Sequence, residues 1–312
     1  MYKYLITGGA GFIGSNIARE LVEKGEMVKV LDNYSTGKRE NIFPIKDKIE
    51  IFEGDVRSLN IVERAMKEVD YVLHQAALPS VARSIDDPTT SNEVNIAGTL
   101  NVLIAARNAK VKRVIFASSS SIYGANPELP KVETMMPMPI SPYAISKFTG
   151  EMYCKTFFSL YGLETVCLRY FNVFGPNQDP SSQYAAVIPK FIDMIRKGRS
   201  PEIYGDGEQA RDFTYVKNVV KANLLACEKK GIAGEVFNVA CQKMTSINIL
   251  VTLINKILKT EIKPIYMEAR IGEVKQSLAN ISKAIRIINY SPEYDLEQGL
   301  IETIKSQNIF KY

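Results

Sequence analysis

The segment that decides the fold reads Thr7-Gly8-Gly9-Ala10-Gly11-Phe12-Ile13-Gly14. It lies between a short apolar run, residues 4–6, and a segment whose apolar residues have helical spacing, residues 17–22. This order predicts a strand, a glycine turn and the start of a helix. Glycines in such a turn let a pyrophosphate approach the first N–H groups of the helix, where the helix dipole favours an anion. The segment therefore predicts a dinucleotide site.

The carboxylate of Asp32 strengthens this interpretation. It ends the next predicted strand, 28–31, about 20 residues after the turn, where dinucleotide folds place the acid that binds the adenosine ribose. The polar turn 33–38 that follows is suited to wrap this ribose. An acid at this position repels a 2′-phosphate and predicts NAD, while Lys38 and Arg39 leave some room for NADP.

Length and composition exclude several classes of protein. The chain has 312 residues, 46% of them hydrophobic, which suffices for a large domain and a smaller one. Its apolar runs are of strand length, and the first strand begins too early to follow a signal peptide, so we expect a cytoplasmic protein without a membrane partner. Four cysteines without a CxxC pair and a single histidine, His74, predict neither disulfides nor a metal site. A net charge of +5 without a Lys/Arg run favours an anionic small molecule over nucleic acid.

Strand and helix patterns alternate along the first half of the chain. Strands are predicted at 49–52, 71–73, 113–117 and 166–168, and helices at 95–109 and 143–161. This alternation predicts an α/β fold, a doubly wound parallel sheet of the Rossmann type with helices on both faces. Both helices carry more apolar surface than one sheet can cover, which predicts a homodimer built on a four-helix bundle.

The alternation gives way to loops after Phe174. We therefore predict a dinucleotide-binding domain at 1–174 and a smaller, interleaved C-terminal substrate domain at 175–212 and 243–312. A late strand pattern at 236–239 indicates that the chain rejoins the first domain over about 213–242. The glycine-containing segment 203–216 reads as a hairpin.

Tyr143 and Lys147 form the candidate catalytic pair. The Ser-Pro pair before them predicts a helix start, and residues four apart share one helix face. A phenol with an ordinary pKa near 10 is a poor base at neutral pH, but a nearby ammonium and a positive nicotinamide favour the phenolate. Tyr34 and Lys38 have the same spacing in a loop, so the helical placement, and not the spacing, identifies the pair.

A run of four serines, Ser118–Ser121, follows the predicted strand 113–117. Such a strand delivers its last residues to the carboxyl edge of a parallel sheet, where ligands bind. We expect one of these hydroxyls to contact the reacting oxygen. The alternative interpretation is a serine-rich turn without a catalytic role.

With these motifs together, the chain resembles the extended short-chain dehydrogenase/reductase superfamily, and within it the UDP-sugar 4-epimerases. Further matching motifs extend the resemblance over nearly the whole chain: 168–176, Tyr204-Gly205-Asp206-Gly207, Arg211-Asp212-Phe213 and Arg270-Ile271-Gly272-Glu273 with Ser277. The resemblance implies that Tyr143 and Lys147 are catalytic and that Ser119 contacts the sugar O4. Glu273 stands where the family more often has Asp, and Pro79 where close relatives carry Gly, which leaves the preferred sugar open.

The turn, the strand ends and the resemblance together predict one NAD per chain and two sets of contacts. The expected cofactor contacts are Gly8, Gly11, Phe12, Ile13, Gly14, Asp32, Asn33, Ser35, Thr36, Gly37, Asp55, Val56, Gln75, Ala76, Ala77, Asn95, Ser119, Tyr143, Lys147, Phe171 and Val173. The substrate contacts are those that the resemblance implies: Pro79, Ser119, Ser120, Tyr143, Asn172, Gln178, Ala186, Val187, Tyr204, Arg211, Arg270, Glu273 and Ser277.

The resemblance implies an isomerase that inverts C4 of a UDP-hexose through a transient 4-keto sugar. In the epimerases that the chain resembles, the position of Ser277 faces the C2 substituent of the sugar. The small serine there implies room for an N-acetyl group, so that UDP-GlcNAc and UDP-GalNAc are interconverted alongside UDP-glucose and UDP-galactose. The alternatives are another extended short-chain dehydrogenase acting on a nucleotide sugar, such as a dehydratase, decarboxylase or reductase, and a non-catalytic NAD-binding regulator. A dehydratase needs carboxylates that the serine run lacks.

Overall fold

The computed structural model describes residues 1–180, 186–269 and 275–309. Its strands are, in chain order, β1 (Lys3–Thr7), β2 (Met27–Asp32), β3 (Ile49–Glu53), β4 (Tyr71–His74), β5 (Arg113–Ser119), β6 (Glu164–Tyr170), β7 (Val173–Phe174), β8 (Glu202–Tyr204), β9 (Ala210–Asp212), β10 (Thr214–Tyr215), β11 (Val236–Val239), β12 (Met244–Ser246), β13 (Ile265–Met267) and β14 (Gln276–Ser277). Its α-helices are α1 (Phe12–Glu23), α2 (Arg39–Ile42), α3 (Leu59–Met66), α4 (Val81–Asp86), α5 (Pro88–Asn92), α6 (Gly98–Asn108), α7 (Pro142–Tyr161), α8 (Val187–Arg196), α9 (Val216–Glu228), α10 (Ile247–Leu258), α11 (Ser282–Ile288) and α12 (Leu296–Ile309).

A central sheet organises the molecule. Seven of the described strands form it in the order β11-β6-β5-β4-β1-β2-β3, and all neighbours are parallel. The predicted doubly wound parallel sheet is confirmed, as is the return of the late strand β11 to it. The order reverses between β1 and β4, and ligands of such sheets bind in the crevice at this reversal.

Alternation along β1 shows how the two faces of the sheet are covered. Tyr4 and Ile6 are buried on one face with residues of α1 and α9, while Leu5 is buried on the other with residues of α3, α6 and α7. Successive side chains of a strand point to opposite faces, so a strand buried on both sides reads as a continuous apolar run.

A smaller body stands at the carboxyl edge of the sheet. Its core joins Phe174 to apolar residues of α8, α10 and α12. Strand β9 pairs with β12 and β14, and β8 pairs with β13. The predicted hairpin at 203–216 is therefore wrong: the glycine turn after β8 separates two strands whose partners both come from later in the chain.

Helix α7 begins and ends where its sequence indicates. The side chain of Ser141 caps its first turn, Pro142 follows at the first position, and Gly162 ends it in the left-handed conformation. In the described part of the chain, neither this helix nor another has the length and apolar character to cross a membrane.

Candidate active site

The predicted cofactor residues lie along the carboxyl edge of neighbouring strands. They follow the strands in this way: Gly8–Gly14 after β1, Asp32–Gly37 at the end of β2, Asp55 and Val56 after β3, Gln75–Ala77 after β4, Ser119 at the end of β5, and Phe171–Val173 after β6. The fold thus brings together segments far apart in sequence.

The glycine turn is too tight for side chains at three of its positions, Gly8, Gly9 and Gly14. Gly8 has a φ of +68°, and a Cβ there would stand 2.7 Å from the backbone nitrogen of Ala76. A Cβ on Gly14 would overlap the carbonyl oxygen of Gly8. A Cβ on Gly11 would approach only that oxygen, at 3.1 Å. The turn therefore leaves a smooth backbone surface at the start of α1, which suits a diphosphate.

Asp32 is held in place to accept from a ribose. Its carboxylate accepts from the N–H groups of Ala10, at 2.9 Å, and Tyr34, at 2.8 Å. Burial raises the pKa of Asp32 and these hydrogen bonds oppose the rise. Nearby, Asn33 donates to Asp55 at 2.8 Å, so the two predicted adenosine contacts support each other.

The two cations that left room for NADP are both paired. Lys38 forms an ion pair with Asp179 at 2.8 Å. Arg39 donates to both carboxylate oxygens of Glu53 at 2.7 Å and stacks on the ring of Tyr34, 4.0 Å from its centroid. With these charges balanced by carboxylates, the donor set around Asp32 fits NAD.

His74 is buried, and both of its ring nitrogens have partners inside the fold. Its ring nitrogens contact the hydroxyls of Thr7 at 2.6 Å and Thr99 at 3.0 Å. Burial lowers its pKa to about 3, so it stays neutral. The next side chain, Gln75, points to Tyr170 and Asn223 inside the fold, at 3.2 and 3.3 Å.

Tyr143 and Ser119 meet above the end of β5. Burial raises the pKa of the Tyr143 phenol, and the nearby Ser119 hydroxyl opposes this rise. The Ser119 hydroxyl also accepts from the N–H of Ser121 at 3.1 Å, which fixes its direction. Ser120, the next serine, begins a short 3₁₀ helix, Ser120–Tyr123.

Lys147 lies one turn along α7 from Tyr143 and is buried. Its ammonium donates to the carbonyl oxygen of Ala117 at 2.8 Å and stands 5.0 Å from the centroid of the Phe116 ring. Burial lowers its pKa to about 8. The lysine thus ties α7 to β5 just before Ser119.

A buried ion pair beneath the serine run was not predicted. Glu151 binds Arg169 with N–O distances of 2.8 and 2.9 Å, and both side chains are almost fully buried. Glu151 also accepts from Ser118 at 2.5 Å. It follows Tyr143 and Lys147 at four-residue steps, so its place on the catalytic face was readable from the sequence, but its partner on β6 was not.

Asn95 links the segment after β4 to α7. Its amide accepts from the N–H of Leu78 at 2.8 Å and donates to the hydroxyl of Ser146 at 3.1 Å. It lies in a π-helical stretch, Glu93–Ala97, and is 2% exposed. Another expected cofactor residue, Phe171, has its ring fully buried, 6.1 Å from that of Tyr123.

Several expected substrate residues gather on the smaller body. Ser277 lies directly beside Arg211 in the pairing of β14 with β9. Asn172 has a φ of +35° and donates to the carbonyl oxygen of Asp212 at 3.1 Å. Gln178 donates to the carbonyl oxygen of Val173 at 3.3 Å, and its own amide oxygen has no partner among the residues that the structure describes.

The remaining expected substrate residues are more dispersed along the chain. Tyr204 ends β8, Ala186 and Val187 begin α8, and Pro79 is exposed between β4 and α4. Arg270 and Glu273 lie outside the described residues.

Comparisons with known proteins bear on this site. The family model described as "NAD dependent epimerase/dehydratase family" matches residues 4–240. A putative UDP-glucose 4-epimerase of Methanocaldococcus jannaschii is 41% identical over 298 residues, covering 95% of each chain.

Two solved structures are similar over nearly their whole length. A UDP-N-acetylglucosamine 4-epimerase from Methanobrevibacter ruminantium M1, in complex with UDP-N-acetylmuramic acid, has a TM-score of 0.94 and 45% identity, with 99% of this chain and 98% of that one covered. A UDP-glucose 4-epimerase from Thermotoga maritima, with UDP-glucose, has a TM-score of 0.93 and 39% identity, with 98% and 99% covered.

These matches confirm the expected family, fold and cofactor, and the relatives named as 4-epimerases are isomerases, as predicted. The glycine turn, Asp32 and the Tyr143/Lys147 pair thus occur in a chain that belongs to the NAD-dependent epimerase/dehydratase family.

Proposed function

We propose that the protein inverts C4 of UDP-hexoses, interconverting UDP-GlcNAc with UDP-GalNAc and UDP-glucose with UDP-galactose. The observation that carries this proposal is the meeting of Ser119 and Tyr143 above β5, beside the buried Lys147 and at the same sheet edge as the glycine turn. NAD, which the glycine turn and Asp32 would hold, would accept hydride from C4 and supply it to the other face of a transient 4-keto sugar. The net redox change is zero, so the reaction needs no second redox partner.

Tyr143 is the proposed acid and base. As the phenolate it takes the proton from the sugar O4, and as the phenol it gives this proton back after the ketone has rotated in the pocket. Ser119 donates a hydrogen bond to O4. Because burial alone raises the pKa of the phenol, the phenolate needs positive charge nearby; the ammonium of Lys147 and the nicotinamide ring supply it.

The environment of Glu151 argues against a dehydratase. Water loss from a sugar needs a carboxyl group that can give and take a proton at the substrate. Among the described residues, Glu151 is the carboxylate that contacts the serine run, but it is 1% exposed and bound to Arg169 and Ser118. It therefore stabilises the fold and is not available to the sugar.

Ser277 is the proposed gate for the substituent at C2 of the sugar. It is small and adjoins Arg211, which we expect to bind the diphosphate. The solved relative with UDP-N-acetylmuramic acid, 45% identical, also holds an N-acetylated sugar nucleotide, which supports an open pocket here.

We predict that Ser277→Tyr abolishes turnover of the N-acetylated pair and spares the plain hexoses, because the phenol would occupy the space of the acetamido group. Initial rates with all four sugars measure this effect. Ser277→Ala is the matched control and keeps both activities. An equal loss on both pairs in the tyrosine variant would show that Ser277 is not the gate.

A panel of UDP-sugars analysed for C4 epimers tests the proposed function. We expect epimers of both pairs from the wild type and none from Tyr143→Phe, which should still bind NAD. A wild type that binds NAD but converts no UDP-sugar would support the non-catalytic regulator instead.

A further inference from the structure

The N–H groups in the first turn of α7 have acceptors from two different parts of the chain. A helix start leaves its first N–H groups without partners inside the helix. Pro142 has no N–H, the N–H of Ala144 donates to the Ser141 hydroxyl at 3.2 Å, and that of Ile145 donates to the Ser141 carbonyl at 3.0 Å. The N–H of Tyr143 donates instead to the hydroxyl of Ser84 on α4, at 3.0 Å. The residue that carries the phenol is thus anchored from outside its helix.

The hydrogen bonds of Ser84 leave its hydroxyl oxygen as the acceptor for this N–H. Its side chain is fully buried, and its hydroxyl proton is donated to the carbonyl oxygen of Val81 at 2.7 Å. A hydroxyl has one proton and two lone pairs, so this bond leaves its lone pairs for the N–H of Tyr143. Helix α4 is itself fixed by Ser80, whose hydroxyl accepts from the N–H of Arg83 at 3.2 Å.

The carbonyl group of Tyr143 is tied to the same part of the chain. It accepts from the Ser146 hydroxyl at 2.8 Å, and Ser146 is in turn bound by Asn95 at 3.1 Å. Asn95 holds both the N–H and the carbonyl of Leu78, at 2.8 and 3.3 Å. Both backbone polar groups of Tyr143 therefore connect, through buried side chains, to residues 78–84 that follow β4.

We propose that Ser84 is a positioning residue for Tyr143. By holding the N–H of Tyr143 it fixes the first turn of α7 against α4, and with it the height of the phenol over Ser119 and its distance from Lys147. This inference rests on the proposed function, in which Tyr143 is the base. Pro79, expected to line the sugar pocket, lies in the same segment, so the wall of the pocket and the base are held by the same residues.

The test compares Ser84→Ala with Ser80→Ala in the full-length protein with bound NAD. Ser80→Ala disturbs α4 without touching Tyr143.

For Ser84→Ala we expect kcat to fall about tenfold or more with KM for the UDP-sugar within about twofold, since the phenol is displaced and the substrate contacts remain. The acid limb of the pH dependence of kcat should move to higher pH, because the phenol lies farther from the ammonium of Lys147. Ser84→Cys, which keeps a weaker acceptor, should fall between the alanine variant and the wild type.

Two results would overturn the proposal. One is a kcat of Ser84→Ala within twofold of the wild type; the other is an equal loss in Ser84→Ala and Ser80→Ala with an unmoved acid limb, which indicates mere loss of structure. If the alanine variant does not fold, Ser84→Cys is judged by the same criteria. A wild type without epimerase activity would instead contradict the proposed function itself.

Discussion

Among single residues, the proposed catalytic Lys147 is buried at a cost in stability. Burial lowers its pKa from 10.5 to about 8. Between these values the unfolded chain binds more protons than the native one, so the free energy of unfolding rises with pH across this interval. Below about pH 8, burial of the charged lysine lowers the free energy of unfolding by its full amount, about 3 kcal/mol at 1.36 kcal/mol per pKa unit.

The variant Lys147→Met should lose this dependence. Both proteins carry Tyr143→Phe, because the phenol is coupled to Lys147 and would otherwise titrate differently in the two. We expect the free energy of unfolding of the protein with Lys147, minus that of the methionine variant, to increase by about 3 kcal/mol as pH rises from 8 to 10.5. The other groups that titrate in this range are common to both proteins and cancel. Urea denaturation at matched pH measures the difference. A difference that does not change with pH would contradict the placement of a charged lysine in a buried site.

At the scale of the element, the pair of Arg169 and Glu151 joins β6 to α7. Removing one partner leaves a buried charge without compensation, so Arg169→Met and Glu151→Leu should each cost about 3–5 kcal/mol. The double variant leaves no lone charge and should cost far less than the sum of the two. Urea denaturation of the four proteins gives this coupling. Lys305→Met, in an exposed pair with Glu302, is the control and should change stability by less than about 0.5 kcal/mol. Additive losses would show that the two side chains are not coupled.

The elements that could be predicted from the sequence are those encoded in short segments. The sheet, α7 and the glycine turn each rest on a local pattern of apolar residues, caps or glycines. The predicted hairpin failed, and Arg169 and Ser84 were missed, because each depends on which distant element packs beside it. A sequence shows that Glu151 shares the face of Lys147, but it does not show that β6 brings an arginine to it.

At the scale of the whole molecule, we propose that α6 and α7 form a homodimer interface. Ile145 and Met152, two turns apart on α7, are 50% and 42% exposed, and apolar side chains on one helix face call for a partner. A homodimer uses the same face of both copies.

The double variant Ile145→Glu/Met152→Glu should therefore be monomeric by sedimentation at micromolar concentration. Ile249→Glu, an exposed apolar position on α10, is the control and should stay dimeric. A wild type that sediments as a monomer would contradict the proposal.

In the proposed function, C4 of the UDP-sugar is oxidised and then reduced again within one site, with one bound NAD as the hydride carrier. The most direct test follows deuterium placed at C4 of UDP-GlcNAc through conversion by the wild type, with the product analysed by mass spectrometry and proton NMR. The account predicts UDP-GalNAc that keeps its deuterium at C4, because the hydrogen leaves and returns within one site. Product whose C4 carries hydrogen from the solvent, or no C4 epimer from any UDP-sugar, would contradict it.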